Sequence, residues 1–211
     1  MIRQHKKMIL LTSIATLLPI LIGLLLWNQL PDSLATHWGI NNEPNGYASK
    51  TFAVFGLPLI MLLGHAVSVI AMNIDPKVKN ISEKVYFVIL WIIPLLSLFI
   101  CNVLYGYNLG FQLDMGFLCG LMIGVFYLIL GNFIPKVKPN YTIGFRISWA
   151  LCDPENWYRT HRFGGKCMVI GGIIMIVTAP FQNMWILIAL ILVPCILPVI
   201  YSYLYYRKII S

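Results

Sequence analysis

Apolar residues run nearly unbroken through six stretches of this chain: Met8 to Trp27, Thr51 to Met72, Tyr86 to Tyr107, Leu113 to Ile134, Lys166 to Phe181 and Met184 to Tyr206. A helix needs roughly 20 mostly apolar residues to cross a bilayer core, and only the fifth stretch falls well short. Polar residues collect in two long segments, Asn28 to Lys50 and Pro135 to Gly165. The other connections, "NIDPKVKNISEK", "NLGFQ" and "FQN", are short, which predicts antiparallel neighbours. Pro19, Pro58, Pro94, Pro194 and Pro198 lie inside apolar stretches. Their neighbours are Leu, Ile and Val, so they read as kinks in a packed bundle rather than as the polar breaks of a transporter site. Asp153-Pro154-Glu155 reads as an N-cap, a proline at the first helical position and a first-turn acid. A helix starting there either lies in the interface and turns at Gly164-Gly165, or runs straight to about Pro180. In either case Trp157 and His161 share one face, and Tyr158 and Arg162 the adjacent stripe.

Composition places these stretches in a membrane. The chain is 59% hydrophobic and 10% charged, against roughly 25% charged in soluble domains. Six spans leave no room for a soluble domain, so residues 1–211 read as a single polytopic domain. The first apolar run exceeds the roughly 7–15 residues of a signal-peptide core, so an uncleaved first helix is expected. With the N-terminus inside, 14 of the 15 Lys and Arg residues fall on inner segments and only Lys50 faces out. That is the positive-inside pattern. The net charge of +8 then suits anionic lipid at the inner face, and no direct nucleic-acid partner is implied. Residues 28–50 become an outer loop and 135–165 an inner loop. No Cys lies in the outer loop. Cys152 and Cys167 fall at the reducing inner face, Cys101, Cys119 and Cys195 read as apolar packing, and a Cys101–Cys119 bridge is not expected. The Cys spacings match no metal motif.

The inner segment "IGFRISWALCDPENWYRTHRFGGK" mixes Arg146, Arg159, Arg162, Lys166 and His161 with Trp149, Trp157 and Tyr158. Trp, Tyr and Arg are ordinary interfacial anchors. However, Asp153 and Glu155 lie among the bases and should pair with them. Gly144, Gly164 and Gly165 disfavour order unless the geometry needs them, and "PKVKPNYTIG" is a stiff lead-in. A shaped loop is expected, with Glu155 among its site residues. In the outer loop the candidates are Pro31, His37, Trp38, Gly46 and Lys50. With Asp32 and Glu43 they could dock a cationic or amphipathic peptide; one His and two separated acids make no closed metal set. Within the spans, His65, Asn102 and Asp114 are polar candidates, but no pair forms a proton relay. Ser148 or Cys152 with His161 is an arithmetically possible nucleophile and base. There is no nucleophile elbow, HExxH or phosphate loop, and no catalytic residue or cofactor is assigned.

The stretch "GNFIPKVKPNYTIGFRISWALCDPENWYRTHRFGGK", Gly131 to Lys166, resembles the SdpI-type immunity proteins of Gram-positive bacteria. The outer segment "LPDSLATHWGINNEPNGYASK" is similar to the companion N-terminal domain of that family, and "DPKVKNISEKVY" matches as well. The family signature carries over onto Gly144, Arg146, Trp149, Trp157, His161, Arg162 and Gly165. The family usually has Thr-Pro and then Trp-Thr after the Arg, where this chain has Ile147-Ser148 and Trp149-Ala150. The resemblance implies a multi-pass cell-membrane protein that protects its cell from a secreted antimicrobial peptide. It also implies a cytoplasmic transcriptional repressor as a possible partner, held at the membrane when the protein is occupied.

The expected fold is an all-α integral membrane bundle of six transmembrane helices with both termini cytoplasmic. The expected function is immunity and signalling, with an extracellular peptide toxin as partner and no enzymatic activity. A membrane enzyme acting on lipid headgroups or cell-wall precursors and a proton-coupled peptide exporter are the alternatives.

Overall fold

The computed structural model describes residues 2–181 and 183–210; side chains of residues 2, 3, 184 and 210 are outside that description. Gln182, in the predicted "FQN" turn, lies outside the described residues. Among the described residues six helices are long and apolar enough to cross a membrane: Gln4–Leu25, Phe52–Ile74, Glu83–Asn108, Met115–Lys136, Pro154–Phe181 and Trp185–Ile209. Large apolar side chains on them, such as Leu10, Leu63, Ile70, Leu95, Ile173 and Leu204, are at least half exposed. In water such faces would be sticky; hydrocarbon covers them at no cost.

The chain divides into two compact units. The first holds α1 (Ile2–Leu25), β1 (Ser33–Trp38), β2 (Pro44–Ser49), α2 (Leu57–Ile74) and α3 (Glu83–Asn108) from Tyr86 onward, ending at Asp114. The strands correct the all-α expectation. They pair antiparallel with Ser33 opposite Ser49 and Ala35 opposite Tyr47, and the register slips around His37. At the tip Asn42 adopts φ +63, a left-handed conformation that Asn tolerates better than most residues. Leu34 and Ala35 are buried, and the core around them comprises Leu30, Leu34, Ala53, Val54, Cys101, Leu104 and Tyr105. Asn108 fastens the hairpin. Its Oδ1 accepts from the Ala35 N–H at 2.8 Å and its Nδ2 donates to the Ala35 carbonyl at 3.0 Å. One side chain thus substitutes for a third strand on an otherwise open edge. A π-helical turn, Phe52–Gly56, leads into α2.

The second unit holds residues 75–85 and 115–211. Its helices are α4 (Met115–Phe133), the short α5 (Ser148–Cys152), α6 (Pro154–Thr178) and α7 (Met184–Ile210). The predicted start of α6 is borne out: Asp153 accepts from the Glu155 N–H at 3.0 Å and Pro154 follows it. The open alternative resolves as a single continuous helix through Gly164-Gly165 to Thr178. Those glycines serve packing. A Cβ on Gly165 would lie 2.6 Å from the Gly131 carbonyl oxygen, and one on Gly172 would lie 2.7 Å from that of Gly124. Such close approach of two helices on small residues is the main way helices associate where lipid removes the hydrophobic drive. Among the described residues all five cysteines are free thiols.

Candidate functional site

The signature loop is built on buried side chains that serve backbone groups. Trp157 lies in the second turn of α6, 2% exposed, and its Nε1 donates to the Val137 carbonyl at 2.8 Å. His161, one turn on, stacks on Trp157 with ring centroids 3.9 Å apart. Its Nδ1 lies 2.8 Å from the Trp157 carbonyl, and its Nε2 lies 3.0 Å from the Phe145 N–H. A carbonyl can only accept and an N–H can only donate. The ring is therefore neutral, with its proton on Nδ1 and its lone pair on Nε2 committed to the loop backbone. Gly144 passes over the same ring at φ +106, and a Cβ there would fall onto His161 Nε2. Asn140 turns the lead-in: its Oδ1 accepts from the N–H groups of Thr142 and Ile143, and its Nδ2 donates to the carbonyls of Lys138 and Ile143.

Asp75 anchors this loop from outside it and was not among the predicted site residues. Its carboxylate accepts from Thr142 Oγ1 at 2.6 Å, from the Tyr141 N–H at 2.9 Å and from the Lys77 N–H at 2.7 Å. Asn80 adds a bond to the Pro139 carbonyl at 2.6 Å. Burial alone would push the Asp75 carboxyl up, but these donors outweigh it and hold it below its ordinary 3.8. A lowered carboxyl stabilises the fold above its unfolded value, and that contribution fades as pH falls through the folded one. Asp75→Ala is expected to remove a buried carboxylate that accepts three hydrogen bonds and to cost about 2–3 kcal/mol. The margin over this variant should shrink below about pH 4, where the unfolded carboxyl begins to protonate. Thermal unfolding in detergent at pH 7 and pH 3 measures both.

The remaining predicted residues of the loop point outward. Arg146, Glu155 and Arg162 are exposed. Arg146 donates to the Tyr141 carbonyl at 3.0 Å, Arg162 to Tyr158 Oη at 2.8 Å, and Glu155 pairs with Arg159 at 2.6 Å. Trp149 packs on Tyr203 and Tyr206 of α7 with centroids 5.6 and 6.3 Å away, and Arg159 lies over Tyr205. Inside, Asn156, Thr160 and Ser202 form a fully buried polar node. Asn156 Oδ1 accepts from Thr160 Oγ1 and Ser202 Oγ, and its Nδ2 donates to the Ser202 carbonyl. So the structure brings Gly144, Trp157, His161 and Gly165 together as fasteners, leaves Arg146, Glu155 and Arg162 on the surface, and half-buries Trp149 against α7.

In the first unit, Lys50 pairs with Asp32 at 3.1 Å, donates to the Trp27 carbonyl and lies over the Trp27 ring. His37 is exposed and bonded to Asn45 at 2.5 Å; Trp38 meets Tyr107 edge-on at 5.0 Å. Gly46 lies where a Cβ would meet His37 Cβ, and Pro31 is exposed. His65 is buried against Thr12 Oγ1 at 3.0 Å. Asn102 bonds only within its own helix, to the Leu98 carbonyl. Among the described residues no group of three His, Cys, Asp or Glu side chains could hold a metal ion.

Six long apolar helices, with a loop between the fourth and the fifth of them pinned by buried hydrogen bonds, describe a multi-pass membrane protein. Residues 136–202 match the model of the SdpI/YfhL protein family, and residues 14–62 match that of a domain of unknown function, DUF1648. The chain is 28% identical over 200 residues to the immunity protein SdpI of Bacillus subtilis (strain 168), covering 91% of this chain and 92% of that one. Over this region the chain is similar to the SdpI family, the one its signature loop resembles. No solved structure matches it.

Proposed function

We propose that this protein protects its cell from a secreted antimicrobial peptide, acting at the cell membrane as a non-enzymatic immunity protein. The observation that carries this reading is the 28% identity to an immunity protein over nearly the whole of both chains. We place both termini and the signature loop in the cytoplasm and the β1–β2 hairpin outside, because 14 of 15 basic residues then lie inside. The exposed Arg146 and Arg162, with the half-buried Trp149 between them in sequence, are the groups this arrangement offers to anionic lipid or to a cytoplasmic repressor. The non-enzymatic part of the reading is supported by His161. Both of its ring nitrogens are engaged with backbone groups, so it has no free lone pair for general-base work.

Expression in a sensitive Gram-positive host tests the reading. Killing curves against secreted antimicrobial peptides should shift at least severalfold for one peptide, with no change in lipid composition. No shift for any peptide, or an altered lipid profile, would overturn it.

A further inference from the structure

The hairpin tip and the α3–α4 connection enclose an open groove of about 540 Å³ in the first unit, lined by Asn42, Tyr107, Gly110, Phe111, Gln112, Leu113 and Asp114. None of its candidate-site predecessors, Pro31, His37, Trp38, Gly46 or Lys50, lines it. Two left-handed backbone positions shape it: Asn42 at φ +63 on one wall and Gly110 at φ +92 on the other. Asn42 Nδ2 donates to Asp114 Oδ1 at 3.3 Å across the groove, and Trp38 braces Tyr107 from behind.

The chemistry of the lining is asymmetric. Phe111 is 64% exposed and offers an open aromatic face to the groove. Tyr107 and Leu113 continue the apolar wall. The charge in the lining is the Asp114 carboxylate, no lining residue is basic, and exposed Glu43 follows Asn42 directly. Lys50, at the opposite end of the hairpin from the tip, is paired with Asp32. This is a negative, aromatic groove on a chain whose net charge is +8. Its openness suits a segment of peptide, which brings its own backbone and leaves one side in solvent.

We propose that this groove is the docking site for a cationic amphipathic peptide, with Phe111 and Tyr107 taking an apolar side chain and Asp114 a Lys or Arg. The proposal rests on the immunity reading above and supplies that reading's point of recognition.

The test uses the full chain in phosphatidylcholine nanodiscs, which carry no net headgroup charge, with empty nanodiscs as reference. The probe is a fluorescent synthetic peptide of Lys and Leu at helical spacing, compared with its Glu-for-Lys counterpart. The cationic peptide should bind and the anionic one at least tenfold more weakly. Because Asp114 also bonds within the fold, the variants are Gln112→Lys, which adds charge at an exposed position, and Phe111→Ala. Each should weaken binding at least fivefold with the unfolding temperature unchanged. Equal binding of both peptides, absence of binding, or variants within twofold of the parent would each overturn the groove. Killing curves of the same variants separate the two ideas. Protection retained in Gln112→Lys and Phe111→Ala overturns the groove alone, whereas absence of protection by the parent chain overturns the immunity reading.

Discussion

Gly165→Ala is expected to destabilise the second unit by about 2 kcal/mol, although alanine is the better helix former by up to about 1 kcal/mol. The added Cβ would lie 2.5 Å from Pro135 Cγ and 2.6 Å from the Gly131 carbonyl oxygen. Neither a proline ring nor a backbone oxygen can rotate away, so α4 and α6 must separate. Separation would forfeit contacts along the seam, including the Gly124–Gly172 approach two turns away on each helix. Gly64→Ala is the control. Gly64 is also helical, but a Cβ there meets only Ile93 Cδ1 at 3.9 Å, so its unfolding temperature should hold or rise slightly. Tryptophan fluorescence during thermal unfolding in detergent would measure both. Equal effects of the two substitutions would remove close helix approach as the explanation. The pair Gly165→Ala and Gly131→Ala should cost less than the sum of the singles, since one displacement relieves both clashes.

The difference between what the sequence revealed and what it hid follows from where each interaction partner lies. The α6 N-terminus was legible because capping is local: Asp153, Pro154 and Glu155 are consecutive. The Trp157–His161 face and the Tyr158–Arg162 bond were legible because four residues make one helical turn. Hydropathy placed the fifth apolar stretch at Lys166, whereas the helix begins at Pro154. Its first three turns bury Asn156, Thr160 and His161, which are polar in composition, and Asn156 finds its partner Ser202 46 residues away. The hairpin was read as a loop rich in turn formers, since β1 and β2 are short and lack clean alternation. Its fastener, Asn108, lies 73 residues from Ala35. Asp75 was hidden for the same reason, with Thr142 lying 67 residues along the chain. In a chain so apolar, the buried polar residues carry specificity, and their partners are set by the fold rather than by spacing.

Gly144→Ala is expected to release the signature loop, while Arg146→Ala, two residues on, leaves it folded. At φ +106 a Cβ costs roughly 1–2 kcal/mol in backbone strain, and here it would also occupy the position of His161 Nε2. The ring must then move, breaking its bonds to the Phe145 N–H and the Trp157 carbonyl, each worth about 1 kcal/mol net. A total near 3 kcal/mol should lower the unfolding temperature and open Lys136 and Arg146 to trypsin in inside-out vesicles. Arg146 is exposed and gives one bond to a carbonyl, so Arg146→Ala should change stability by less than about 0.5 kcal/mol. A stable loop in Gly144→Ala would show that the His161 anchoring is not what orders the segment. The two variants divide the signature by role. Gly144, Trp157, His161 and Gly165 hold the loop in shape, and Arg146, Trp149 and Arg162 are what the shaped loop presents. Loss of protection or of partner binding in Arg146→Ala at unchanged stability would assign function to the presented face. Loss in Gly144→Ala alone would mean that the cell needs the fold of this loop and not its charges.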